Sequence, residues 1–135
     1  MDDYRSSLRD MEKDCRVTRV IDGDTVEIGC RGERWPDGHA FSARIVGYDT
    51  PEKFSPDCPS EEDAAISAQA AFAKWLMEAG VMVGQEGLLE IAYLGTDRYG
   101  RTLVDMRVGG ERVATWMTAE GHGRRYLGGL RGGWC

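Results

Sequence analysis

Carboxylates gather at two turn-like stretches of the 135-residue sequence. Asp22 and Asp24 flank Gly23 between two β-branched runs, and Asp49 and Glu52 flank Thr50-Pro51. Each stretch alone is ordinary turn text, because Asp bonds neighbouring amides and Gly and Pro punctuate the chain. Together they offer carboxylate and carbonyl oxygens, the donor set of a hard divalent cation, Ca²⁺ or Mg²⁺. Arg44 precedes Asp49 by five residues, and Arg101 follows a Tyr99-Gly100 turn. Two guanidiniums converging on a carboxylate-bound cation would clamp a phosphate; taken singly, each reads as a solvated arginine at a strand end. His39 and His122 lack metal-ligand spacing, and nothing matches a Ser–His–Asp arrangement.

These residues need strands to hold them. RVTRVI (16–21) and TVEI (25–28) alternate and are rich in β-branched residues, so they predict a hairpin with its turn at 22–24. That pairing sets Cys15 nearly opposite Cys30. FSARIVGY (41–48) predicts a third strand that ends at DTPE (49–52), and KFSPDCP (53–59) is too proline-rich for regular structure. A helix is expected from Ser60, the N-cap of a capping box SEED with Asp63 three residues on. Ala65, Ala68, Phe72, Trp75, Leu76 and Ala79 form its apolar stripe, and Gly80 its stop. LLEIAYL (88–94) and RTLVDMRV (101–108) predict two more strands, and Val113, Trp116 and Met117 a short helix ending near Gly121. Five short antiparallel strands with an interposed helix suit a small closed barrel. Residues 1–14 form an extension ahead of one domain over 15–135, and the Gly- and Arg-rich tail has little periodicity.

The composition is 41% hydrophobic and 30% charged, globular rather than disordered. No apolar run approaches the ~20 residues that span a bilayer, and the polar start MDDYRSSLRDMEKDC carries no secretory or transit pattern. Net charge is −6, which taken alone argues against a nucleic-acid partner. The sign is uneven, however: residues 96–135 hold seven Arg against four acids, leaving the remainder at −9. The four cysteines, 15, 30, 58 and 135, include no CxxC pair, so zinc is not expected. They are either buried thiols or two disulfides.

VIDGDTV (20–26), Arg44 with its five-residue offset to DTPE, and TDRYGR (96–101) resemble the staphylococcal nuclease family, in order, over about residues 15–126. The resemblance implies an α+β, mainly β fold: a five-stranded OB-like barrel with two or three packed helices. It implies Ca²⁺-dependent phosphodiester hydrolysis of DNA and RNA, single-stranded or frayed by preference, breaking the P–O5′ bond to leave 3′-phosphate ends. On that resemblance Asp24, Asp49 and the Thr50 carbonyl are the calcium ligands, with Asp22 in an outer shell. Glu52 is the general base on water, and Arg44 and Arg101 bind the phosphate and its added transition-state charge. Arg98, Tyr99 and Tyr126 are the substrate-binding candidates. The family's type member is strongly basic and lacks cysteine, unlike this chain.

The tail is similar to a bacterial subset that ends in Trp-Cys and carries Cys-Pro after DTPE, here Trp134-Cys135 and Cys58-Pro59. That likeness implies a Cys58–Cys135 bridge, with Cys15–Cys30 as the second. Paired cysteines place the protein in a secreted or periplasmic setting, free ones in the cytoplasm. A monomer without membrane association is expected. The competing reading is a non-catalytic OB-like module that binds nucleic acid or protein.

Overall fold

The computed structural model describes residues 15–30, 40–51, 53, 56–82, 88–126 and 134–135. The predicted hairpin forms first in the chain. Strand β1 (Cys15–Val20) pairs antiparallel with β2 (Thr25–Cys30), and Cys15 faces Cys30 in register. The Ile21 and Asp22 amides both donate to the Thr25 carbonyl, at 2.9 and 3.1 Å, closing the turn. Strand β3 (Ala40–Ile45) adds antiparallel to β2, with Arg44 opposite Thr25.

The expected single strand over 41–48 is split. Gly47 takes φ +99°, and a Cβ there would lie 3.0 Å from the Ala114 Cβ and 3.1 Å from the Arg112 guanidinium. Only glycine satisfies both the left-handed backbone and that close approach. The chain bends, and β4 (Gly47–Asp49) leaves the first sheet.

Helix α1 (Pro59–Ala79) starts two residues earlier than a capping box with Ser60 as its N-cap predicted. Cys58 is the N-cap and makes no side-chain cap, while Pro59 sits at the first helical position, where a missing N–H costs nothing. The buried Glu61 carboxylate accepts the Asp57 amide at 2.7 Å instead. Glu61 and Glu62 complement the positive helix end. Ala65, Ala68, Phe72 and Leu76 are buried as the stripe predicted, and Phe72 and Leu76 each contribute roughly 1.5–3 kcal/mol of apolar burial. Gly80, at φ +84°, ends the helix.

Strand β5 (Leu89–Thr96) pairs antiparallel with β6 (Thr102–Val108), with an irregularity between Tyr93 and Gly95. Strand β7 (Glu111–Arg112) adds to β6, and helix α2 (Val113–Ala119) follows. The last strand, β8 (Arg124–Tyr126), pairs antiparallel with β4 in a separate two-stranded sheet; the sequence pattern gave no sign of it.

The main sheet runs β1-β2-β3-β6-β5. The β3–β6 pair is parallel, which corrects the all-antiparallel expectation. Among the described residues no ladder joins β5 to β1, so the sheet is OB-like but not closed into a barrel. Instead, the segment after α1 leans on the open edge, where the Val17 amide donates to the Val81 carbonyl at 3.2 Å. The core between sheet and helices includes Val17, Ile28, Ile45, Phe72, Met106 and Met117. Trp75 of α1 stacks on Trp116 of α2 at 4.2 Å and 8°. No helix among the described residues is long and apolar enough to cross a membrane.

Both disulfides are formed, Cys15–Cys30 across the hairpin and Cys58–Cys135 from the start of α1 to the C-terminal residue.

Candidate functional site

The two acidic turns meet. Asp24 follows the β1–β2 turn, where its amide donates to the Asp22 carboxylate at 3.0 Å. Asp49 ends β4, and Thr50 follows it. Tyr48 is fully buried and donates its hydroxyl to the Gly23 carbonyl at 2.7 Å, joining the second turn to the first. A Cβ on Gly23 would lie 3.0 Å from Thr50 Cγ2, so the turns touch where glycine leaves room. Thr50 Oγ1 donates to Asp24 Oδ2 at 3.2 Å, and Thr25 Oγ1 to Asp24 Oδ1 at 2.9 Å.

Arg44 lies between the two carboxylates. Its guanidinium is 3.4 Å from Asp24 Oδ2 and 3.9 Å from Asp49 Oδ1. It also donates to the Ile45 and Tyr48 carbonyls, which fixes it against the bend in the chain. Asp24, Asp49 and Thr50 are all buried, with exposures of 9%, 4% and 3%. Burial pushes the Asp24 carboxyl up to about 7, against the opposing pull of Arg44; the hydrogen bond and charge of Asp22 push it further, and Thr25 pulls it back. Burial together with the Asp24 charge also raises the Tyr48 phenol well above its ordinary value, so it stays a donor.

A group of three or more His, Cys, Asp or Glu able to hold a metal is not assembled among the described residues. The donor chemistry nevertheless fits a hard cation: Asp24 and Asp49 are buried oxygen donors beside Thr50, and one guanidinium faces both. Burial raises the proton affinity of Asp24, and a divalent cation relieves the same excess of negative charge. Glu52 lies outside the described residues. Its neighbour Lys53 donates to the Ile21 carbonyl at 2.8 Å and to Gln69 Oε1 at 2.9 Å, and Gln69 donates to the Val20 carbonyl at 3.3 Å. These bonds tie α1 and the DTPE segment to the end of β1; no periodicity pointed to Lys53 or Gln69.

The second predicted arginine stands apart. The parallel register pairs Arg44 with Leu103, and Arg101 lies just ahead of β6, at the end of the turn that leads into it. Its guanidinium is held by Asp97, Nε to Oδ2 at 2.7 Å. Asp97 Oδ1 accepts the Tyr99 and Arg101 amides at 2.9 Å each. Desolvation is the largest single influence and pushes the Asp97 carboxyl up, but the Arg101 amide and guanidinium and the Tyr99 amide together outweigh it and hold the carboxyl below its ordinary value. Tyr99 is 70% exposed, with the Arg98 and Arg101 guanidiniums 5.1 and 5.9 Å from its ring centre. Arg44 and Arg101 thus have separate partners in the structure. The Tyr126 backbone pairs with Gly47, while its side chain lies outside what the structure describes.

The architecture is that of a small OB-like α+β domain with carboxylates and an arginine gathered at its strand ends. No protein-family model matches the chain. It is 32% identical over 113 residues to the thermonuclease of Staphylococcus hyicus, covering 84% of this chain and 59% of that one. It is 33% identical over 108 residues to the thermonuclease of Staphylococcus intermedius, covering 80% and 56%. The chain therefore spans a little over half the length of these curated relatives. Over these spans the chain is similar to members of the staphylococcal nuclease family.

Proposed function

We propose that the protein is a calcium-dependent nuclease that hydrolyses phosphodiester bonds in DNA and RNA with low sequence specificity, leaving 3′-phosphate ends. The observation that carries this reading is the meeting of Asp24, Asp49 and Arg44 at two bonded turns, in a chain similar to two thermonucleases. Asp24, Asp49 and the Thr50 carbonyl would hold Ca²⁺, with Asp22 behind them. The ion, when bound, supplies positive charge toward a phosphate oxygen. Glu52 takes the proton of the attacking water as general base. Arg44 neutralises charge that grows on the phosphate oxygens, and Arg101 joins it by exchanging its Asp97 partner for the substrate. Arg98 and Tyr99 contact the strand alongside, and Tyr126 stacks on a base.

The net charge of −6 fits this reading, since bound Ca²⁺ offsets part of it and the +3 segment from residue 96 onward supplies Arg98 and Arg101 in addition to Arg44. Substrate binding should therefore be weak, salt-sensitive and metal-dependent. The two disulfides suit an oxidising, calcium-containing compartment. Heat-denatured DNA and RNA incubated with protein and Ca²⁺ should degrade to a smear that EDTA abolishes. Binding without hydrolysis, equal with and without Ca²⁺, would favour the non-catalytic module instead.

A further inference from the structure

We propose that Lys53 and Gln69 are positioning residues of the site: together they clamp the chain just past Asp49-Thr50-Pro51-Glu52 and set how that stretch lies against the first acidic turn. This rests on the nuclease reading above. The Lys53 ammonium donates to the Ile21 carbonyl at 2.8 Å and to the Gln69 side-chain oxygen at 2.9 Å. Gln69 completes the clamp by donating its amide nitrogen to the Val20 carbonyl at 3.3 Å. At the near end of the same stretch, Tyr48 donates to the Gly23 carbonyl. Residues 49–52 are therefore bracketed by two side chains, and both brackets land on the 21–23 turn that leads into Asp24. Asp49, Thr50 and Pro51, between the brackets, are buried.

Lysine ordinarily keeps its ammonium in water and its rotamers free. Lys53 instead directs its ammonium to two uncharged oxygens, one at the end of β1 and one on α1. Gln69 gives the clamp a rigid base. It follows Ala68 on α1 and precedes Phe72 by three residues, and both of those are fully buried, which fixes its backbone. Its position calls for an acceptor toward the ammonium and a donor toward the Val20 carbonyl, and a primary amide supplies both. Groups that do chemistry must be held to about 0.5 Å by the residues around them, and a misplacement of about 1 Å can cost about 100-fold in rate. A clamp serving stability alone would leave turnover untouched when removed. A lysine touching substrate phosphate would instead show in KM and in its salt dependence.

The test uses the whole chain, with steady-state cleavage of a single-stranded oligonucleotide at saturating Ca²⁺ and amide hydrogen exchange in EDTA. Gln69→Leu and Lys53→Met should each lower kcat about 10- to 100-fold, with KM and its salt dependence within about twofold of wild type. Gln69→Leu leaves every charge in place and carries the test if Lys53→Met does not fold. Lys53→Arg, which keeps charge and donors, should recover part of kcat. The double variant should be no worse than Lys53→Met, because the two residues act as one unit. In Gln69→Leu, exchange in the peptide spanning 48–53 should quicken about tenfold, the scale of one lost charge-assisted hydrogen bond, while β2 and β3 stay protected. Unchanged kcat in Gln69→Leu while the wild type cleaves, whether or not exchange quickens, would overturn the proposal and leave the nuclease reading standing. A raised KM with a salt slope smaller by about 0.7 in Lys53→Met would overturn it in favour of a phosphate contact. Faster exchange confined to 48–53 in a protein that never cleaves would sustain the clamp and remove the nuclease.

Discussion

The Tyr48 hydroxyl and the Gly23 carbonyl, 2.7 Å apart, join the two acidic turns that the sequence keeps 25 residues apart. The bond is buried, so its loss leaves a carbonyl without a partner in a place water does not readily reach. Tyr48→Phe should therefore lower stability by about 1–3 kcal/mol in urea unfolding. Activity should fall further than stability explains, because Asp24 and Asp49 then lose their mutual placement. A variant with unchanged activity would show that the turns do not depend on this bond.

Arg44 is the cation that faces both buried carboxylates. Arg44→Gln should cost about 3–5 kcal/mol in EDTA, the range for breaking a buried pair. Its activity should fall by about 100-fold or more, as for loss of a transition-state charge partner. Calcium should restore more stability to this variant than to the wild type, a comparison that thermal unfolding with and without the ion checks.

Calcium removal should destabilise the wild type. An ion at 100 times its Kd contributes about 2.7 kcal/mol, so EDTA should lower the melting temperature by several degrees. Asp49→Asn should abolish most of that difference. Equal melting temperatures in Ca²⁺ and EDTA for the wild type would argue against a site at these turns.

Asp97 gives the pH dependence a definite sign. Its folded carboxyl titrates below the ordinary value: desolvation, the largest single influence, raises it, but the Arg101 and Tyr99 amides and the Arg101 guanidinium together outweigh that. Its stabilisation is thus fully present above the unfolded value of about 4 and is lost as pH falls through the folded value. Urea midpoints of wild type and Asp97→Asn should differ at neutral pH and converge in acid. A gap that widens on acidification would reverse the assignment.

The Cys58–Cys135 bridge closes a separation of 77 residues. In the chain-entropy account it contributes about 4 kcal/mol, so the double serine variant should unfold at lower urea by that amount. A loss below about 1 kcal/mol would place the effect of the bridge on the tail alone.

Much of this architecture was legible in the residues. The DGD turn fixed the hairpin register, and with it the Cys15–Cys30 pairing, because a tight turn leaves few alternatives. The α1 stripe was equally plain from Ala65 to Leu76. The bend at Gly47 was not, since its cause is the approach of Ala114 and Arg112, residues more than 60 positions away. The same holds for β8, whose three residues form a strand only because β4 offers them an edge. The N-cap shifted from Ser60 to Cys58 because Pro59 can open a helix without a hydroxyl cap. At the site, residue types and the Arg44–Asp49 offset named the turns, but spacing could not show that Asp97 holds Arg101. Tyr48 read only as the end of a strand, since its role exists only once the two turns are adjacent.

The rate of calcium-dependent cleavage is the most direct measure of the proposed activity. Cleavage of a fluorophore–quencher single-stranded DNA reporter should proceed in Ca²⁺, stop in EDTA, and yield ends that a polymerase extends only after phosphatase treatment. Glu52→Gln, Asp49→Asn and Arg44→Gln should each remove that cleavage while circular dichroism shows a retained fold. No cleavage by micromolar wild-type protein in Ca²⁺, or undiminished cleavage by the three variants, would contradict it.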